Sequence, residues 1–95
     1  MQGSTTAVVG FGRAGQAVCR YLAACGARVL VSDMRRLDEL SEAERELLER
    51  CSAGFEGGGH STEYLSAAEK VVLSPGVDYR HPALEQLRRN KIEIL

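Results

Sequence analysis

Directly after the apolar, β-branched run Thr5-Thr6-Ala7-Val8-Val9 stands Gly10-Phe11-Gly12-Arg13-Ala14-Gly15, a G-x-G-x-x-G. Directly after that come apolar residues at helical spacing, Ala14, Val18, Tyr21, Leu22 and Cys25. A strand, a glycine turn and a helix in that order restrict the fold more than any other feature of the chain. Gly10 permits a tight turn, Gly12 removes a Cβ from the path of an approaching anion, and Gly15 lets the helix pack close to the strand. The amides of Arg13 and Ala14 open the helix without intrahelical acceptors, and the helix dipole adds to their pull on phosphate.

The rest of the chain repeats this rhythm. Gly26 stands where a helix C-cap glycine belongs, and Ala27–Ser32 reads as a second strand. Asp33 to Arg36 is a loop. Leu37, Leu40, Leu47, Leu48 and Cys51 fit one helical face, and Ser41 with Glu44 forms a capping box that starts the helix there rather than at Asp38. The acidic residues from Asp38 to Glu49 are its solvated side. Ala53–Glu56 is a short third strand, broken by Gly57-Gly58-Gly59, and Thr62–Ala68 is a short helix. Lys70–Leu73 is a fourth strand, stopped by Ser74-Pro75-Gly76. Pro82 suits the first turn of a helix that carries Ala83, Leu84 and Leu87 inward, and Ile92–Leu95 is a last strand. Regular alternation of this kind implies parallel strands joined by right-handed crossovers. The expected architecture is therefore α/β, a Rossmann-like three-layer sandwich with a five-stranded parallel sheet, and residues 1–95 form one domain. Ligands of such sheets sit beyond the C-terminal strand ends, which directs attention to the loops Gly10–Gly15, Asp33–Arg36, Gly57–Ser61 and Ser74–His81.

Composition narrows the function. A net charge of −1 with no strong basic cluster argues against nucleic acid as a partner. No apolar run approaches the length that crosses a bilayer, and Met1 to Thr6 lacks the charged-then-apolar pattern of a leader, so the cytoplasm is the expected compartment. Cys19, Cys25 and Cys51 have no metal-site spacing and are expected as buried, reduced thiols.

The residues that carry chemistry are few. Asp33 ends the second strand, where an acidic side chain usually bonds a ribose or another donor. Arg35 or Arg36 can stack on a base or pair with phosphate. Ser74-Pro75-Gly76 combines a small hydroxyl, a fixed φ and a glycine at the end of the fourth strand, which suits a loop lying against a ligand. His60 and His81 are far apart in sequence and read as structural or surface residues. Ser61 and Ser66 have no evident partner. No nucleophile–base set appears, so no catalytic residue and no metal ligand is expected.

Taken together, Val8 to Gly15, Val31-Ser32-Asp33, Gly58-Gly59-His60, Val71-Val72-Leu73-Ser74-Pro75-Gly76-Val77, His81-Pro82 and Ile92-Glu93-Ile94 resemble the N-terminal domain of the Mur ligases, in particular of the branch that adds D-glutamate. Ser-Pro-Gly after a V-V-L strand, with His-Pro five residues on, is the most specific part. The resemblance runs from about Thr6 to Leu95. It implies a domain of an ATP-dependent, ADP-forming amide ligase of peptidoglycan synthesis in the cytoplasm, a process tied to cell shape, growth and division. This domain would anchor the UDP end of UDP-MurNAc-L-Ala, while ATP, magnesium and D-glutamate belong to further domains. It needs no cofactor of its own, and alone it would be inactive. By the same resemblance, the site comprises Gly12, Arg13, Ala14, Gly15, Asp33, Met34, Arg35, Ser74 and Gly76. Arg13 and Ala14 would meet the diphosphate through their amides, Asp33 the uracil edge, Met34 through its backbone, Arg35 beside the ring, and Ser74 and Gly76 the uridine and phosphate side. Family members often carry a hydroxyl residue where this chain has Ala14, so that contact is missing. Ending on the strand at Leu95 fits an excised domain.

Two other readings remain open from the residues alone. One is an NAD-binding domain of a dehydrogenase or a potassium-transport regulator, which Asp33 suits but which has no need of the Ser74–Pro82 pattern. The other is a non-catalytic module that keeps the fold and binds a protein.

Overall fold

The computed structural model describes residues 4–78 and 80–95. Met1 to Gly3, the head of the segment read as lacking a leader, and Tyr79 of the Ser74–His81 loop lie outside the described residues. Among the described residues, five strands, β1 (Thr5–Val9), β2 (Arg28–Ser32), β3 (Gly54–Glu56), β4 (Lys70–Leu73) and β5 (Glu93–Ile94), alternate with four helices. These are α1 (Arg13–Ala24), α2 (Glu42–Arg50), α3 (Thr62–Leu65) and α4 (Pro82–Arg89), and a 3₁₀ turn covers Leu37–Glu39. The sheet order is β3-β2-β1-β4-β5, and every pairing is parallel.

Alternation along the strands builds a core on each face. Val8, Val29 and Val31 point to one side and meet Cys19 of α1 and Leu47 and Leu48 of α2. Ala7, Val9 and Val71 point to the other and meet Leu65 of α3 and Leu84 and Leu87 of α4. This is the three-layer sandwich that the sequence implies.

Three differences from the sequence reading have physical causes. Strands two, three and five each begin one residue later than expected. Ala27, Ala53 and Ile92 instead donate their amides back to Leu22, Leu48 and Leu87, closing the preceding helix. The residue before each is left-handed: Gly26 at φ 82°, Ser52 at 52° and Lys91 at 62°. That is one helix-ending motif used three times. The inward stripe of α1 is buried Gly15 and Cys19 with partly buried Val18 and Leu22, rather than Ala14, Tyr21 and Cys25; Tyr21 is 69% exposed. Gly15 sets this phase, because it packs on the Gly10 carbonyl and its 3–4-residue neighbours follow it inward. Leu37 sits in the separate 3₁₀ turn and is exposed, since Ser41 caps α2 downstream of it, accepting from the Glu44 amide while Glu44 accepts from Ser41 N. The expectation of three buried thiols holds for Cys19, but Cys51 is half-buried and Cys25 exposed. The short helix ends at Leu65, three residues before Ala68, and the chain runs from Ile94 to Leu95 outside the strand.

Candidate functional site

The strand order turns at β1, with β2 on one side and β4 on the other, so the loops leaving these strands converge. In parallel sheets this switch point is the ordinary ligand site. Here the convergence is tight. Gly10 N donates to Ser32 O at 2.7 Å, Ser74 N to Val9 O at 2.9 Å, and Ser74 Oγ to Gly10 O at 3.0 Å. Gly10 has φ 95°, and a Cβ there would press Ser74 and Val77 at 3.0 Å. A Cβ on Gly15 would collide with the Gly10 carbonyl and stand 2.8 Å from Ser74 Oγ. Gly12 differs from both, because a Cβ there would meet nothing of the protein within 4 Å. Among the described residues, no side chain caps α1 at Gly12. Its first amides, from exposed Arg13 and Ala14, thus face outward at a positive helix end.

A second layer of bonds fixes this turn from the β2 side. Asp33 is buried, and its Oδ1 accepts from Phe11 N at 2.8 Å. Its Oδ2 accepts from Arg35 N at 3.0 Å and Arg35 Nε at 2.9 Å. Burial works to raise the Asp33 carboxyl, but the bonds from Phe11 and Arg35 outweigh it and hold the group below its ordinary value. The Arg35 guanidinium also donates to both oxygens of Glu44 at 3.2 Å and to Phe11 O at 3.0 Å. Gln16 Nε2 joins in, donating to Phe11 O at 3.0 Å and Glu44 Oε2 at 3.1 Å. The bond from Ser41 N and the Arg35 charge keep Glu44 ionised below the usual range, against a smaller opposing effect of burial.

Beside the turn lies a cleft of about 300 Å³ lined by Gly10, Asp33, Met34, His60, Gly76, Val77, Asp78 and His81. Of the expected site residues, Asp33, Met34 and Gly76 thus line one cavity. Gly12, Arg13 and Ala14 form the adjoining helix start. Gly15 and Ser74 lie behind the turn with their atoms against Gly10, and Arg35 braces it. Arg36 is exposed and pairs with Asp38 at 3.2 Å.

The sequence reading did not bring Gln16 and Glu44 to the turn, nor His60 and His81 together at the cleft. The His60 and His81 rings meet edge to face with centroids 5.3 Å apart. Their separation in sequence is bridged because both follow C-terminal strand ends, His60 after β3 and His81 after β4. That rule, applied to the loops Gly57–Ser61 and Ser74–His81 together, was the available signal. Ser61 also has partners after all: it caps α3 through Tyr64 N at 3.2 Å, and its hydroxyl bonds Glu56. Among the described residues, no three His, Cys, Asp or Glu side chains are grouped to hold a metal ion, and no helix is long and apolar enough to cross a membrane.

The model of the Mur ligase MurD-like N-terminal domain matches residues 4–95. A UDP-N-acetylmuramoylalanine–D-glutamate ligase of Geobacter metallireducens is 39% identical over the whole chain, which spans 21% of that protein. One of Chromobacterium violaceum is 42% identical over 93% of this chain and 19% of its own length. The chain therefore spans about a fifth of these relatives. Among solved structures, the UDP-N-acetylmuramate:L-alanyl-γ-D-glutamyl-meso-diaminopimelate ligase from Neisseria meningitides superposes with TM-score 0.79 at 13% identity, covering 97% of this chain and 28% of that one. The fold is thus that of a Mur ligase domain, and the chain belongs to the family of MurD-like Mur ligase N-terminal domains.

Proposed function

We propose that this chain is the substrate-anchoring domain of a ligase that adds D-glutamate to UDP-MurNAc-L-Ala, and that it holds the UDP end of that substrate. The observation that carries the reading is the uncapped start of α1 at Gly12, open to solvent beside the cleft at the switch point of the sheet. The amides of Arg13 and Ala14 take the diphosphate, and Gly12 lets it approach the backbone. With Ala14 at this position no hydroxyl assists. The nucleoside enters the cleft between Met34 and Gly76. Asp33 already accepts three hydrogen bonds, so about one acceptor position of the carboxylate remains for the ligand. The same engagement weighs against NAD, whose ribose diol draws on that carboxylate in dinucleotide-binding domains. Arg35 braces the turn and offers its planar face to the base. Ser74 acts from behind, by fixing Gly10.

No residue here touches reacting atoms. The contribution is positioning: binding energy gained at the uridine end holds the remote carboxylate where ATP, magnesium and D-glutamate, taken by parts of the ligase outside this chain, act on it. This work belongs to cytoplasmic peptidoglycan synthesis. The test is a titration of the chain with UDP-MurNAc-L-Ala and with NAD, followed by amide NMR. UDP-MurNAc-L-Ala is expected to move the amides of Gly12 to Gly15, Asp33 and Gly76, and NAD to leave them in place. Binding of NAD without the uridine ligand would sink the proposal.

A further inference from the structure

Phe11 stands between the two leading glycines of the turn and is held at both of its backbone polar atoms. Its amide donates to Asp33 Oδ1 at 2.8 Å. Its carbonyl accepts twice, from Arg35 Nη2 and from Gln16 Nε2, each at 3.0 Å. Its ring is fully buried. The Phe11 carbonyl and the Gly12 amide belong to one planar peptide, so fixing the carbonyl fixes the plane through which the chain enters α1.

One side chain of α2 sets both donors. Glu44 Oε2 accepts from Gln16 Nε2 at 3.1 Å and from Arg35 Nη1 at 3.2 Å. Its Oε1 accepts from Arg35 Nη1 at 3.2 Å and from Ser41 N at 2.8 Å. Gln16 is tied to the same turn a second time, since its own amide donates to Gly12 O at 2.9 Å. Capping α2 does not account for this arrangement. The cap uses the Glu44 amide and Oε1, whereas Oε2 faces Gln16 and Arg35. Nor does a favourable field account for it. Asp33 and Glu44 set two negative charges against one guanidinium, and the excess opposes an anion at Gly12.

We propose that Glu44, acting through Gln16 and Arg35, is a positioning residue of the diphosphate turn: it holds the Phe11–Gly12 peptide in the one orientation from which the start of α1 receives the ligand. This rests on the nucleotide reading above and extends it to a residue of α2 that lines neither the turn nor the cleft. A turn ordered in advance loses less freedom when the ligand arrives, so the clasp acts on affinity. The sign of the effect separates this role from a mere charge. Removing a carboxylate near an anion site strengthens binding by Coulomb's law alone, while loosening a positioned turn weakens it.

Three substitutions test it. In Glu44→Gln the amide oxygen can keep the bond from Ser41 N, and glutamine serves a capping box as well as glutamate. Its amide nitrogen, however, meets Gln16 and Arg35 donor to donor. Gln16→Met keeps the length of the side chain and removes its donors. Ser41→Ala removes the hydroxyl that caps α2 and leaves Glu44 Oε2 with its partners. Calorimetry with UDP is expected to show a loss of about three- to tenfold in Glu44→Gln and about threefold in Gln16→Met, as loss of one or two hydrogen bonds implies. Ser41→Ala is expected to lower the thermal midpoint, as loss of a cap does, yet to bind UDP within about twofold of wild type. In the free chain, ¹⁵N relaxation is expected to show added motion at Gly12 and Arg13 in Glu44→Gln and Gln16→Met only. A Glu44→Gln chain that binds UDP as tightly as wild type, or more tightly, would overturn the inference, while UDP-induced shifts at Gly12 to Gly15 left the nucleotide reading standing. So would unchanged motion at the turn, or an equal loss of affinity in Ser41→Ala, since Glu44 would then act only by capping α2. A wild-type chain that binds neither UDP nor UDP-MurNAc-L-Ala would remove both.

Discussion

Gly12 and Gly15 lie three residues apart in one motif and are glycine for different reasons. At Gly15 a Cβ has no room, since the Gly10 carbonyl and Ser74 Oγ already occupy its place. At Gly12 a Cβ has open space, and φ is −78°, a value any residue adopts. Gly15→Ala is therefore expected to destabilise the fold by about 1–3 kcal/mol or more, the range for overpacking. Gly12→Ala is expected to cost less than about 1 kcal/mol, the loss for alanine at a helix N-cap, yet to weaken UDP-MurNAc-L-Ala binding about tenfold or more, because its Cβ enters the path of the phosphate. Urea denaturation with calorimetry on both variants separates the two effects. If Gly12→Ala bound as wild type, the diphosphate would not lie on this turn. The glycine turn and the packing roles of Gly10 and Gly15 could be read from the sequence. Asp33 could be read only by position: that its carboxylate faces inward to Phe11 and Arg35, and that Glu44 and Gln16 reach the same turn, depends on how α2 packs on α1. No local pattern encodes that packing. That His60 and His81 meet at the cleft was hidden for a related reason, since it depends on how the loops after β3 and β4 converge.

At the scale of elements, alternation and turn residues place every strand and helix, because each apolar run is bounded by a glycine, a proline or a cap. The late starts of β2, β3 and β5 all lie where the chain leaves a helix, and one motif explains them. Gly26 announces it, but Ser52 and Lys91 adopt the same left-handed turn without glycine, so their sequence gives no sign of it. Those two positions carry a steric cost that glycine lacks, on the order of 1 kcal/mol each. Both side chains are exposed and neither belongs to the proposed site. Ser52→Gly and Lys91→Gly are accordingly expected to raise stability by some tenths up to about 1 kcal/mol each, after the entropy that glycine returns to the unfolded chain. Because the sites lie at the ends of different helices, the two gains are expected to add. Thermal denaturation of the single and double variants measures this. A loss of stability in both would mean that the side chains at these turns do more than tolerate the geometry.

For the molecule as a whole, stability depends on groups kept in one protonation state by the two faces of the sheet. On the α1–α2 face, burial pushes the Cys19 thiol from 9.0 up to about 12, with Cys51 adding to the effect. A group whose folded value is raised contributes stability that is complete below its unfolded value and is lost as pH rises through the interval, here from about 9 upward. At the cleft the signs reverse. His60 is lowered from 6.5, so the fold binds this proton more weakly than the unfolded chain does, and stability falls as pH drops below 6.5. Asp33 and Glu44 are lowered from 3.8 and 4.5, so their contribution is present above those values and disappears below them. The denaturation midpoint is thus expected to be flat between about pH 6.5 and 9 and to decline on both sides, in two steps on the acid side. His60→Asn should erase the first acid step and leave the second, while Cys19→Ala should lower the whole curve by opening a cavity and flatten its alkaline limb. These variants act on opposite faces of β1 and β2 or at separate ends of them, so each should change only its own limb. If His60→Asn left the decline below pH 6.5 unchanged, His60 would not be held neutral in the fold by its burial and by the neighbouring His81.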